Sequence, residues 1–385
     1  MTKTTVYNGI DRLGEYDSLF RGKRLGLVTG PTGVTRNLRS SAEALAARYR
    51  LTALYAPEHG LWGSAQAGEH VDGETDPRTG VPVHSLYSGQ NHGRQLTPEM
   101  VRDVDLLVFD MQTIGARYFT YLYTLADVMQ SAERFGLPLV VLDRVNSLDG
   151  VTLSGNVLDE RFSSFVGRYA LPARYGMTIG EFARWLQGER GIGCDLTVVP
   201  CSGWRRELCF DDTDLPWVLP SPNLPTMDTA LCYVGTCLIE GTNLSEGRGT
   251  TKPFELVGAP WVDPLRLADC LSQRSLPGVA FRPVRFQPSF SKHAGQSCGG
   301  VQLHILDRRA FDPYATGLYL LEALRQNSSE FSFLEASPGR FFIDNLLGSD
   351  ALRHPDFDVE AFLRSGQREL ELFRRLRQPY LLYDG

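Results

Sequence analysis

Apolar runs that end abruptly in polar clusters recur four times in the first 150 residues. Residues 25–28 lead into Thr29-Gly30-Pro31-Thr32-Gly33, residues 51–56 into Pro57-Glu58-His59-Gly60, residues 106–109 into Asp110-Met111-Gln112, and residues 139–142 into Asp143-Arg144-Val145-Asn146. Runs this apolar, separated by helical stretches, predict strands buried on both faces, the condition of a parallel sheet. In an open α/β sheet ligands bind beyond the carboxyl ends of the strands. The four polar tips are therefore expected to share one rim.

The intervening segments supply the helices. Ser40 and Glu43 have capping-box spacing, and Ala42, Leu45, Ala46 and Tyr49 follow at helical intervals. Thr97-Pro98-Glu99 opens another helix, and Leu122, Leu125, Ala126 and Met129 form the apolar stripe of a third, which Gly136 and Pro138 stop. Thr178 and Glu181 make a second capping box before a strand-like run at residues 196–199. Residues 1–205 are thus predicted as an α/β domain with a Rossmann-like, doubly wound, mostly parallel sheet that carries most of the rim loops. Residues 206–264, rich in Pro, Gly, Asn and Trp, read as a loop-rich segment contributing to a cleft. Residues 265–385, with strands at 279–286 and 300–306 and a helix at 315–325, read as a smaller C-terminal α/β domain. A chain of 385 residues is long enough to divide in this way.

A net charge of −6 provides no field for phosphate backbones, and no Lys/Arg run marks a nucleic-acid arm, so nucleic acid is not expected as a partner. The opening residues lack the apolar core of a secretion signal and no stretch approaches the roughly 20 apolar residues that span a bilayer. No membrane partner and a cytoplasmic location are expected. The seven cysteines include no C-x-x-C pair and read as reduced thiols.

Chemistry is expected first at Glu58. A carboxyl group partly withdrawn from water at a strand end can act as a general acid, although a strand-end glutamate can also simply cap the next turn. Glu246 lies in a segment, residues 240–253, whose three glycines permit close backbone approach to a ligand. With Arg248 beside it, Glu246 either meets a polar substrate or forms a surface ion pair. Asp110, Gln112, Arg117, Asp143, Arg144 and Asn146 offer groups for hydroxyls and carboxylates; Trp62, Tyr87, Tyr118, Trp217, Phe254 and Trp261 offer flat apolar faces. A sugar needs both, its edges being hydroxyls and its faces C–H, though an aromatic of this kind is more often core than platform. No phosphate-binding glycine pattern and no G-x-S-x-G elbow occurs. His59, Glu69, His70, Asp72 and His84 lack the tight spacing of metal ligands, so neither metal nor other cofactor is expected.

Ala56-Pro57-Glu58-His59-Gly60, Asp143-Arg144 with Asn146, Pro220-Ser221-Pro222-Asn223-Leu224-Pro225-Thr226 and above all residues 240–261 together resemble the NamZ-type exo-β-N-acetylmuramidases, a bacterial family formerly known only as a domain of unknown function. The resemblance covers nearly the whole chain. It implies a glycosidase that removes terminal N-acetylmuramic acid from the non-reducing end of peptidoglycan fragments, with the active site in a cleft between the two domains. The family's catalytic glutamate maps onto Glu58, and Glu246 and Arg248 fall in its S-E-G-R-G-T segment. Glu246 is expected near the chemistry, and His59, Asn223, Asn243, Arg248 and Thr250, which stand in the same motifs, at the substrate. Arg117, Arg144 and Arg248 are each able to take the lactyl carboxylate of muramic acid.

The chain departs from the family's usual residues at Gly30, Thr113 and Tyr175, where relatives carry Asn, Asp and His. Loss of a carboxylate at Thr113 is expected to change substrate detail or pH optimum before reaction class. In the implied mechanism Glu58 protonates the departing glycosidic oxygen. Retaining and inverting enzymes differ in the separation of two carboxyls, about 5–5.5 Å against about 6.5–9.5 Å, unless the substrate's own acetamido group is the nucleophile. All three routes are open to the sequence. The alternatives to a muramidase are a non-catalytic muropeptide- or sugar-binding protein and a metal-dependent sugar hydrolase.

Overall fold

The computed structural model describes residues 3–58, 60–63, 75–87, 95–326 and 328–384. The four predicted apolar runs fall within β1 (Arg24–Thr29), β2 (Arg50–Ala56), β4 (Leu106–Asp110) and β5 (Leu139–Leu142), with β3 (Val83–Ser85) between the second and third of them. A short antiparallel pair, β6 (Ser154–Val157) and β7 (Pro172–Arg174), precedes β8 (Leu196–Val199). β1 to β5 and β8 form one parallel sheet in the order β3-β2-β1-β4-β5-β8. This is the doubly wound Rossmann order, with its topological switch point between β1 and β4. Every residue of β4 and β5 is buried, which is why these strands read as continuous apolar runs without alternation.

Helices α1 (Ser41–Ala46), α2 (Pro98–Val101), α3 (Tyr121–Phe135) and α4 (Ile179–Arg190) follow the predicted capping signals. Ser40 Oγ accepts the Glu43 amide at 3.1 Å, and the Thr178/Glu181 capping box closes in both directions. Gly136 ends α3 with φ of 62°, a left-handed conformation that an ordinary side chain resists.

Residues 206–264 differ from their loop-rich expectation. They contain α5 (Met227–Thr236) and β9 (Leu256–Ala259). Nine of the ten residues of α5 are buried, Asp228 being the exception, so no one-sided stripe marks it in the sequence. β9 joins β10 (Val279–Phe286) and β11 (Cys298–Ile305) in an antiparallel sheet of order β10-β11-β9. α6 (Pro264–Gln273) packs on this sheet, α7 (Pro313–Gln326) on α5 and α6, α8 (Phe342–Leu347) on the turn at Cys237–Gly241, and α9 (Val359–Arg377) on β6 and α7. α5 crosses α7 at two facing glycines: a Cβ on Gly235 would lie 1.9 Å from the Pro313 carbonyl oxygen and one on Gly317 2.5 Å from the Gly235 oxygen.

One apolar core is continuous through both halves, running from Leu122 and Trp185 through Val234 and Leu320 to Phe373. The chain end then returns to the first half. Arg377 donates to the carbonyls of Val151, Tyr175 and Gly176, Leu382 N donates to Glu181 Oε1, and the Tyr383 hydroxyl donates to Asp143. No helix among the described residues is long and apolar enough to cross a membrane.

Candidate active site

Glu58 stands two residues beyond the carboxyl end of β2. Its side chain is held from α3: the hydroxyl of Thr120, the N-cap residue of that helix, donates to Glu58 Oε2 at 2.5 Å. The Tyr121 hydroxyl reaches the Pro220 carbonyl at 3.2 Å and the Glu58 carbonyl at 3.5 Å, tying the tip of β2 to the segment that enters the second half. Glu58 is 8% exposed and lines a cavity of about 190 Å³. Tyr118 and Thr120 line the same cavity from the first half, and Tyr233, Glu240, Arg248, Phe254 and Phe342 from the second. The cavity therefore lies in the cleft between the two halves.

The far wall is an ordered charge network. Arg248 Nη2 pairs with Glu240 Oε1 at 2.7 Å, and its Nε with Glu246 Oε1 at 3.2 Å. Lys292 Nζ pairs with Glu246 Oε2 at 2.8 Å while donating to the carbonyls of Ile239 and Thr242. The guanidinium lies 5.1 Å from the centre of the Phe254 ring. Burial alone would depress the Arg248 pKa, but the carboxylates of Glu240 and Glu246 outweigh it and hold it above its ordinary value.

Glu246, expected near the chemistry, is instead 2% exposed, behind Arg248, and absent from the cavity wall. Its two oxygens are spent on Arg248 and Lys292, so it orients the guanidinium. The glycines of this segment make room for the protein's own backbone: a Cβ on Gly247 would lie 2.6 Å from the Leu256 oxygen and one on Gly249 2.6 Å from the Phe290 oxygen. Asn243 and Thr250 are likewise structural. Asn243 bonds the Glu330 carbonyl and the Ser332 amide, and Thr250 bonds the Gly247 carbonyl and the Lys252 amide.

The expected rim residues of the first half split away from Glu58. Asp110 and Arg144 form a buried bidentate pair at 2.6 and 2.8 Å, with Ser41 donating to Asp110 and Arg144 donating to the Val34 carbonyl. They occupy the sheet's switch point, beside a separate cavity of about 20 Å³ lined by Gln112 and Arg144 among others. Gln112 donates to the carbonyls of Thr113 and Val145. Asp143 accepts from Thr178 and the Gly180 amide at the start of α4, and Asn146 bonds the Met177 carbonyl and the Leu148 amide. Arg117 is fully buried and donates to the carbonyls of Asn156, Leu171, Leu346 and Leu347, so it is a brace between β6, β7 and α8 and no receptor for a carboxylate.

Of the remaining candidates Tyr118 lines the cavity, and its hydroxyl donates to the Val234 carbonyl. Asn223 is buried between Ser221 and Leu224, which both line it. His59 lies outside the described residues, as do Glu69, His70 and Asp72. No cluster of three or more potential metal ligands occurs among the described residues. Thr113 and Tyr175, two of the departures from the family pattern, are buried against each other with their hydroxyls 3.5 Å apart, and neither lines the cavity.

Thr120, Tyr233 and Glu240 were not among the expected site residues. Glu240 opens the most distinctive segment of the sequence and Thr120 is an N-cap residue type ahead of a helical stripe, which are the only sequence signals either carries.

Residues 25–228 match the family described as "Exo-beta-N-acetylmuramidase NamZ, N-terminal" and residues 231–383 the family described as "Exo-beta-N-acetylmuramidase NamZ, C-terminal". The chain is 46% identical over 388 residues to the peptidoglycan beta-N-acetylmuramidase NamZ of Bacillus subtilis (strain 168), covering 99% of this chain and 92% of that protein. Two crystal structures of DUF1343 family proteins from Bacteroides fragilis NCTC 9343 share the fold. One matches with a TM-score of 0.87 at 33% identity over 100% of both chains, the other with 0.80 at 28% identity over 98% of this chain and 99% of that one.

Proposed function

This chain belongs to the NamZ family of exo-β-N-acetylmuramidases, and from that premise we propose how its cleft performs the reaction. The protein is a glycosidase acting on peptidoglycan-derived material, releasing terminal N-acetylmuramic acid from the non-reducing end. The substrate form we propose is a disaccharide or muropeptide fragment whose terminal sugar enters the cavity beside Glu58.

The observation that carries the reading is a glutamate carboxyl, 8% exposed, fixed by Thr120 in a cavity between two halves. Glu58 is the general acid: it protonates the bridging oxygen as positive charge builds at the anomeric carbon. A fixed carboxyl loses little freedom on reaching its reactive position, the advantage of an ordered site. Tyr118, Tyr233 and Phe254 offer ring faces and edges to the C–H faces of the sugar. Arg248 is the one arginine among the described residues lining the cavity, and its Nη1 has no hydrogen bond among those residues. It is the group we assign to the lactyl carboxylate, through a charge-assisted hydrogen bond.

The test is incubation of the purified protein with a β-1,4-linked N-acetylmuramyl-N-acetylglucosamine disaccharide and mass analysis of the products. Release of both monosaccharides is expected. Glu58→Gln should keep the wild-type melting temperature and lose about 10²–10⁴-fold in kcat, the usual contribution of a positioned acid. Wild-type turnover by that variant would remove Glu58 from the role.

A further inference from the structure

The cavity is lined by two carboxylates among the described residues, Glu58 and Glu240. The first is committed to the leaving oxygen. Glu240 is held differently: Oε1 accepts from Arg248 Nη2 at 2.7 Å, and Arg248 is itself clamped through Nε by Glu246. Oε2 has no hydrogen-bond partner among the described residues, and the side chain is 20% exposed. A carboxylate sharing its charge with a guanidinium is a weakened nucleophile. It is still a fixed acceptor for an N–H group.

A 2-acetamido sugar brings its own nucleophile, the acetamido carbonyl oxygen, which can reach C1 of the same ring. That oxygen becomes more nucleophilic when the amide N–H is hydrogen-bonded to a carboxylate, because the positive charge that develops on nitrogen is then neutralised. We propose that Glu240 is the catalytic residue that accepts the acetamido N–H of the bound muramic acid, so that hydrolysis proceeds through a cyclic oxazolinium intermediate with retention of configuration. This rests on the assignment of Glu58 as the acid.

The steps balance without any co-reactant but water. The Glu58 proton passes to the bridging oxygen and the C1–O bond breaks. The acetamido oxygen forms the new bond to C1 from the opposite face, and the resulting charge on the N–H is held by Glu240. Water then enters from the side that the leaving group vacated, giving its proton to the Glu58 carboxylate. Its oxygen bonds C1, the C1–acetamido bond breaks, the amide is restored, and the sugar departs as the β-anomer.

The experiment uses chromogenic β-muramides bearing N-acetyl, N-fluoroacetyl, N-difluoroacetyl and N-trifluoroacetyl groups, with the anomer first released followed by NMR. The expected result for the wild type is kcat/KM falling steeply with each fluorine, together with initial release of the β-anomer. Glu240→Gln should lose about 10²-fold or more in kcat on the N-acetyl substrate with a much smaller change in KM. The wild-type fluorine series stands independently of whether that variant folds. Initial release of the α-anomer, or a flat fluorine series with retention, overturns the proposal while leaving Glu58 as acid intact, since only Glu58→Gln tests that assignment. Absence of any turnover by the wild type sinks the proposed function and this inference with it.

Discussion

A buried guanidinium has five donors to satisfy, and in this chain that requirement sorts the arginines by role. Arg117 spends both terminal nitrogens on four carbonyls, with its Nε left unpaired among the described residues, and Arg144 is held by Asp110 and Val34. Neither lines the cavity beside Glu58, whereas Arg248 does, with an Nη1 that has no hydrogen bond among the described residues. Arg248→Lys is expected to lower kcat/KM about 10- to 100-fold on a β-muramide relative to a β-N-acetylglucosaminide lacking the lactyl group, the cost of about 1.5–3 kcal/mol for one charge-assisted bond. The ratio of the two specificities is the measurement, and an unchanged ratio would detach Arg248 from the lactyl carboxylate. The departures at Thr113 and Tyr175 carry no threat to the reaction, because the two side chains meet each other and not the cavity. Glu58 was legible at this scale: a polar residue closing an apolar run must sit at a strand end. Which of Glu240 and Glu246 faces the cavity was not, since two glutamates in one irregular segment have no periodicity to separate them.

Elements are locked to one another by groups that the sequence marks only as candidate ligands. Asp143, at the carboxyl end of β5, accepts from the Arg144 and Gly180 amides and from the hydroxyls of Thr178 and Tyr383, so it caps α4 and receives the chain end at once. Burial pushes its pKa up to about 7, against the pull of these donors and with a further push from Glu181. The unfolded carboxyl titrates near 4. Below that pH both states hold the proton; between about 4 and 7 the folded state alone holds it, so stability falls as pH rises through that window. Asp143→Asn is expected to flatten this part of the pH–stability curve, read by denaturant unfolding at a series of pH values. An unchanged slope would show that the donors, and not burial, dominate the site. The helices were legible because caps are local: Ser40, Thr178 and Gly136 act within one turn of their own position. α5 was not, because a helix buried on nearly every side presents no polar face.

Across the whole molecule the cavity depends on holding two differently built halves in one relation. The first supplies Glu58 from a parallel sheet; the second supplies the Arg248 guanidinium and the Glu240 carboxylate from an irregular segment beside a small antiparallel sheet. Three features join them: the continuous apolar core, the Arg117 brace to α8, and the return of α9 and the chain end onto the first half. Arg377→Ala would leave the buried Tyr175 carbonyl without its donor, at about 1–3 kcal/mol for a group that water cannot reach, while the Gly176 carbonyl keeps Arg206. A melting temperature lower by several degrees and faster proteolysis within residues 378–384 are the expected outcomes. Wild-type values for both would show that the clasp contributes nothing.

What the sequence determined by itself is what short-range chemistry controls: the strands as apolar runs, the helix ends as caps, the doubly wound order as alternation, and Glu58 as a carboxyl at a strand tip. The family resemblance added the reaction. Only the tertiary structure decided which polar groups face the cavity and which face one another. Asp110, Asp143, Arg117, Arg144 and Glu246 are chemically as able to meet a sugar as Glu240 and Arg248 are. A buried charge takes whichever partner the fold brings within about 3 Å, and that partner is set by packing between segments far apart in the chain, which no local pattern encodes.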